Sequence, residues 1–334
     1  MCGATRELER ATWRPSLDVV GALAFWGRMT RSADLPRTEE VSARYRDLDL
    51  WDSEQALEAL WEGQMSAVAA LRPALPALSA AADGAALRLG AGSGRLIYAG
   101  AGTSGRLAAL DAAELPPTFD WPHERIALVI AGGEASLLRA TEGAEDDTAA
   151  AEARVTTIGA GPADVLIALA ASGGTPFSVT ALGSARAQGV LTVAIANSHG
   201  SPLLAAAEYP ILLDTGAEAI AGSTRMKAGT AQKAALTLLS TLIMIRLGRV
   251  HEGRMIEMRP TNAKLLARAR RMVAELTGCA AAAAAAALDQ AGGSTKLASL
   301  MILRDLDRGA AEALLSRHAG ILRQALTGGK DSPL

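Results

Sequence analysis

Gly100-Ala-Gly-Thr-Ser-Gly-Arg-Leu-Ala-Ala-Leu-Asp-Ala-Ala-Glu-Leu-Pro-Pro117 decides how the chain is read. It follows the apolar run Arg95-Leu-Ile-Tyr-Ala-Gly100 and opens with G-x-G-x-x-G. An apolar run, a glycine-rich turn and a helical pattern in that order describe a strand feeding a helix. Four similar runs follow, Arg125 to Ala131, Asp164 to Ala171, Val190 to Asn197 and Tyr209 to Asp214, separated by helical or loop sequence. Continuous apolar strands alternating with helices predict a parallel sheet covered on both faces. The expected fold is α/β, a doubly wound five-stranded parallel sheet flanked by helices. Upstream, Leu57, Leu60, Met65, Val68 and Leu71 recur at helical spacing, and Pro73 and Pro76 predict a break or kink. Beyond Asp214 the pattern is helical: Arg225 to Leu247, then Asn262 to Leu276 closed by Gly278. Three or four short helices follow, split at Gly292-Gly293, Asp307 and Gly320. The expected organisation is an extension over 1–28, a helical segment over 29–92 and the α/β domain over 93–250. A connecting helix over 251–278 then leads to a small helical domain over 279–334. Met29 opens a segment that reads as a natural beginning.

The chain has 334 residues, half of them hydrophobic, with a formal net charge of −2. That charge offers no clustered basic face for nucleic acid. The two cysteines, Cys2 and Cys279, have no metal spacing, and the four histidines are scattered, so neither metal nor disulfide framework is expected. A reducing compartment, the cytoplasm, is the simplest setting. No charge-free apolar run reaches the roughly 18 residues of a membrane helix. Neither cofactor, nucleic acid nor membrane is an expected partner.

Ligands of open parallel sheets bind beyond the carboxyl ends of the strands. Three loops there carry glycine with serine or threonine, each before a helix. They are Gly100 to Gly105 with Gly102, Thr103 and Ser104, Ala171 to Pro176 with Ser172, Gly173 and Thr175, and Ala221 to Lys227 with Ser223, Thr224 and Lys227. Free N–H groups at helix N-termini suit a phosphate, and hydroxyls add directional donors. One G-x-G-x-x-G also fits a dinucleotide, and Glu134 imitates a ribose-binding acid. Pro116-Pro117, however, predict a helix of only about ten residues, and a dinucleotide leaves the other two loops without a task. A small phosphorylated ligand accounts for all three. Two carboxylate groups stand nearby. Glu114, expected at the far end of the first helix beside Leu115 and the prolines, suits a general acid. Glu142-Gly-Ala-Glu145-Asp-Asp147 offers a base, with Glu142 and Glu145 equally placed by spacing.

GAGTSGRLAALDAAELPPTF, IAGGEASLLRATEGAEDD, AASGGTP and GSTRMKAGTAQKAALTLLSTLIM, in that order, resemble the N-acetylmuramic acid 6-phosphate etherase family. RPTNAKL at 259–265 and RHAGILRQAL at 317–326 fit as well. The resemblance runs from about Leu35 to the C-terminus. It implies a sugar-isomerase-type (SIS) phosphosugar fold and a lyase cleaving the D-lactyl ether of N-acetylmuramate 6-phosphate in cell-wall recycling. It also implies that Glu114 protonates the departing lactate oxygen and then serves as base for water, and that Glu145 is the second catalytic carboxylate. Gly174 stands where the family usually has arginine, Gly253-Arg254 replace Asn-Leu or Gly-Leu, and Glu257 replaces Asp. A sugar-phosphate-sensing regulatory protein and an aldose–ketose isomerase are the alternatives on the same fold. Retention of both glutamates favours the lyase. The apolar helix from Arg225 onward predicts a homodimer.

Overall fold

In the computed structural model, residues 36–328 are described; the expected start at Met29 and the extension over 1–28 lie outside them. Five parallel strands, β1 (Leu96–Gly100), β2 (Ile126–Ile130), β3 (Val165–Ala170), β4 (Leu191–Ala196) and β5 (Tyr209–Leu212), form one sheet in the order β2-β1-β3-β4-β5. Each expected apolar run is a strand, trimmed by one or two residues. β1, β3 and β4 are buried along their whole length, as strands covered on both faces must be. β2 is an edge strand and only its last two residues are buried.

Helices α1 (Ser53–Ala69) and α2 (Leu71–Gly90) precede the sheet. Their junction is Ala70 and not a proline. Pro73 lies in the first turn of α2, where the missing N–H has no intrahelical partner to lose, and Pro76 is carried inside the helix. α3 (Gly102–Phe119) joins β1 to β2. α4 (Thr148–Thr157), α5 (Pro176–Ala187) and α6 (Pro202–Ala206) connect the later strands, and α7 (Lys227–Arg246) follows β5. One apolar cluster binds α2, α3 and α7 to one face of the sheet through Leu78, Leu115, Leu236 and Ile243. Another binds α4, α5 and α6 to the opposite face through Val155, Phe177 and Leu182. By length and composition alone, Ser53–Gly90 and Lys227–Arg246 would suffice to cross a membrane. The fold instead buries the inner face of α7 against α2, α3 and the sheet.

α3 overturns one expectation. Pro116 and Pro117 lie inside it and do not stop it. They remove two N–H donors, yet the helix continues one turn because Leu115 and Phe119 bury against the sheet. It ends at Asp120, whose φ is 49° and whose N–H donates to the Pro116 carbonyl at 2.9 Å. Glu114 is therefore an exposed residue inside an 18-residue helix, not its last turn.

After α7 a short hairpin, β6 (Val250–His251) and β7 (Arg254–Met255), turns through Glu252 and Gly253. Both have positive φ, the two-residue turn that favours glycine at its second position. Four helices were anticipated after Gly278 only as three or four. They are α9 (Ala281–Gln290), α10 (Thr295–Arg304), α11 (Arg308–Arg317) and α12 (Leu322–Thr327), preceded by α8 (Ala263–Thr277). Asn262 and Asp307 cap α8 and α11 with side-chain oxygens, and Gly278 ends α8 in the left-handed region. A third apolar cluster, including Met258, Val273, Leu288, Leu300 and Leu322, holds them together.

Candidate active site

The sheet order reverses between β1 and β3, and a cavity of about 440 Å3 opens at their carboxyl ends. Gly102, Thr103 and Ser104 line it from the first loop, Ser172 and Thr175 from the second, and Gly222 and Thr224 from the third. The third group includes neither Ser223 nor Lys227, and Gly173 stands behind the second loop. Gly173 has φ 67° and packs so tightly on Ser201 that a side chain would overlap its hydroxyl. The first loop turns through Gly102, φ 52°, while Gly100 and Gly105 let α3 sit directly on β1. A Cβ on Gly105 would lie 2.9 Å from the Gly100 carbonyl oxygen.

The three helix N-termini differ. α3 and α5 carry no side-chain cap, and Gly102 and Pro176, where they begin, border the cavity. The N-terminus of α7 is occupied. The fully buried Glu218 carboxylate accepts the Lys227 and Ala228 N–H groups, both at 2.9 Å. It already supplies the negative charge that the helix end attracts. Lys227 is buried too, its stem against Gly63. Burial lowers its amine from the ordinary value, the Glu218 carboxylate opposes this, and Arg37 adds to it. The third loop thus presents Gly222 and Thr224 to the cavity, while Lys227 is held apart from it.

Ser104 is also committed. Its hydroxyl donates to Gln232 Oε1 at 2.8 Å. Gln232 Nε2 donates to Asn197 Oδ1 at 3.0 Å, and Asn197 donates to the Leu213 carbonyl at 3.1 Å. This buried chain ties the first loop to α7 and to the ends of β4 and β5. In the second loop the Ser172 hydroxyl oxygen accepts the Gly174 N–H at 3.2 Å.

The two expected catalytic glutamates lie in different places. Glu145, on a one-turn helix over Ala144–Asp146, lines the 440 Å3 cavity with Asp146, whereas Glu142 does not. Asp147 begins α4 by accepting the Ala150 N–H at 2.8 Å, which joins this turn to the start of that helix. Glu114 lines a second cavity of about 290 Å3 between α3 and α7, with Asp111, Lys233 and Ser240. Twelve residues of α3 separate it from Gly102, about 18 Å along the axis. Beside it, Asp111 accepts from Tyr98 Oη at 2.8 Å and from Ser240 Oγ at 3.1 Å. Burial raises the Asp111 carboxyl, against those two hydrogen bonds and Lys233, and the Glu114 charge raises it further.

Sequence reasoning missed Glu39, which reaches the first cavity from a turn upstream of α1. It also missed Glu218 and Gln232 as partners of the loops. No local pattern marks them: Glu39 and Gln232 meet partners far along the chain, and Glu218 reaches the start of α7 across an irregular loop.

The SIS domain description matches residues 149–242, and the glucokinase regulatory protein N-terminal SIS domain matches residues 84–186. The fold and the loops at its switch point thus define an SIS-domain protein. A phosphoheptose isomerase from Francisella tularensis aligns at a TM-score of 0.44 with 19% identity, covering 59% of this chain and 98% of that one. The chain is 52% identical to the N-acetylmuramic acid 6-phosphate etherase of Deinococcus radiodurans, over 89% of its own length and 97% of the relative's. It is 46% identical to that of Erwinia tasmaniensis, over 86% and 94%. The chain belongs to the N-acetylmuramic acid 6-phosphate etherase family.

Proposed function

We propose that the chain is a carbon–oxygen lyase that cleaves the D-lactyl ether of N-acetylmuramic acid 6-phosphate, in cell-wall (peptidoglycan) recycling in the cytoplasm. The products are N-acetylglucosamine 6-phosphate and D-lactate. The observation that carries the reading is Glu145 in one cavity with two uncapped helix N-termini and the hydroxyls of Thr103, Ser172 and Thr175. The phosphate binds at the N–H groups of α3 and α5, where helix charge and hydroxyl donors favour an anion. Ser223 and Lys227 act on it only through the third loop. With the sugar ring open, Glu145 removes the proton beside the aldehyde. The electron pair forms a carbon–carbon double bond as the lactate oxygen leaves. An alkoxide leaves poorly, so Glu114, as general acid, delivers a proton to that oxygen. Its carboxylate then takes a proton from the water that adds back at the former ether carbon, and Glu145 returns its proton to the carbon beside the aldehyde. General acid and base assistance contributes roughly 10²–10⁴-fold per group.

Glu114 and Glu145 of one chain open onto separate cavities, which supports a reading in which a second copy supplies Glu114. The proposed enzyme is a homodimer with two shared sites. Three features support this. Glu114 is exposed on α3 beside Leu110, which is 50% exposed. Leu57, Trp61, Met65 and Val68 form an exposed apolar stripe along α1. Leu238 and Ile245 are exposed on α7, which packs between α1 and α3. Such an uncovered apolar layer marks an interface.

The experiment is D-lactate release by wild type, Glu114→Gln, Glu145→Gln and an equimolar re-associated mixture of the two variants. Each variant alone is expected to be nearly inactive. In the mixture half the dimers are mixed and each restores one site of two, giving about a quarter of wild-type activity. A mixture as inactive as its components refutes the shared site, and full activity in either variant refutes that residue's role.

A further inference from the structure

Three charged side chains line the first cavity, Glu39, Glu145 and Asp146, and all three are acidic. Glu145 has a task in the reaction. Glu39 does not, and it comes from outside every motif of the family resemblance.

Its position is built by three separate contacts. The turn Arg37–Glu39 crosses the third loop, where the buried Thr38 carbonyl accepts the Gly222 N–H at 2.9 Å. On one side Arg37 reaches Asp214 at 3.4 Å, and Asp214 also holds His199 at 3.0 Å. Burial would raise the Asp214 carboxyl, but His199 and Arg37 outweigh it and hold it below its usual range. On the other side the Glu39 carboxylate lies against Gly222, whose φ is 74°. A Cβ on Gly222 would come within 2.7 Å of Glu39 Oε2. The left-handed backbone at Gly222 favours glycine, and the missing side chain leaves room beside it for the Glu39 carboxylate. Among the described residues, neither a hydrogen bond nor an ion pair occupies the Glu39 carboxylate, so its acceptor oxygens face the cavity uncommitted.

We propose that Glu39 is a further substrate-contacting residue, an orienting carboxylate that accepts hydrogen bonds from the sugar hydroxyls. An ionised carboxylate only accepts, so it pairs with hydroxyl or N–H groups and repels phosphate. It therefore turns the polyol side of the sugar toward the strap and leaves the phosphate at the α3 and α5 N-termini. The inference rests on the proposed function only in taking this cavity as the site.

The test uses the full chain with Glu39→Gln, which keeps size and removes charge. Three quantities are read: kcat/KM for D-lactate release, competitive inhibition by inorganic phosphate, and Tm. The expected result is a loss of at least about tenfold in kcat/KM, the scale of one charge-assisted hydrogen bond. Phosphate inhibition is expected to stay the same or tighten, with Tm unchanged. A Glu39→Gln enzyme within twofold of wild type overturns the inference. So does a parallel loss of phosphate inhibition, which would reduce Glu39 to a support of the loop. Glu145→Gln is the control: if it keeps full activity, the cavity itself is misassigned, whereas activity lost there and kept in Glu39→Gln sinks only the inference.

Discussion

A single side chain joins the amino ends of β1 and β3. Asp164, just before β3, accepts from the Arg95 backbone at 2.8 Å and the Gly161 N–H at 3.1 Å, and pairs with the Arg95 guanidinium at 2.7 Å. Burial would raise its carboxyl; the hydrogen bonds from Arg95 and Gly161 outweigh that and bring it below the usual carboxylate range. A carboxyl lower in the folded than in the unfolded chain stabilises fully above its unfolded value. That stabilisation is lost as pH falls through the folded value. Asp164→Asn is expected to cost about 1–3 kcal/mol at neutral pH, because the Arg95 guanidinium then keeps only the Ile158 and Gly159 carbonyls as partners. Thermal unfolding of both proteins from pH 7 down to pH 3 checks this. The Tm gap should narrow with acidification, and a gap independent of pH would remove the ion pair as its cause.

At the scale of elements, the helix starts divide the labour around the cavity. α3 and α5 leave their N–H groups open, and α7 closes its own with a carboxylate nine residues upstream of Lys227. Glu218 therefore does for α7 what Asn262 does for α8, but from a buried loop. Glu218→Ala leaves two N–H groups and the buried Lys227 without their counter-charge. It is expected to destabilise by about 2–4 kcal/mol and to loosen residues 221–226. Hydrogen exchange of the Lys227 and Ala228 amides reports it directly. Unchanged protection there would mean that the cap contributes nothing. The prolines of α3 make the complementary point, since packing of Leu115 and Phe119 carried a helix through a local stop signal.

At the scale of the whole molecule, Leu57, Trp61, Met65 and Val68 on α1, Leu110 on α3, and Leu238 and Ile245 on α7 lie exposed. If that layer is the interface between two copies, charges placed in it break the dimer without touching either cavity. Trp61→Glu with Met65→Glu is expected to give a folded monomer by light scattering at micromolar concentration, with D-lactate release reduced at least tenfold. A fully active monomer would return Glu114 to a role inside its own chain, or to none.

Much of this protein was determined by sequence within short windows. The five strands, the Gly102 turn, the caps at Asn262 and Asp307, and the breaks at Gly292-Gly293 and Gly320 follow from apolar period and backbone permissiveness, which are local properties. The loops carrying Thr103, Ser172, Thr175 and Thr224 were legible for the same reason, because strand ends place them. Tertiary structure alone decided what each helix end and carboxylate meets. Ser104 meets Gln232 across 128 residues, and the Thr38 carbonyl and Glu39 carboxylate meet Gly222 from the far end of the chain. Glu114 and Glu145 open onto separate cavities because Glu114 lies twelve residues along α3 from the Gly102 turn. Hydrogen bonds and charges act over a few ångströms of space, and only the folded chain sets those distances.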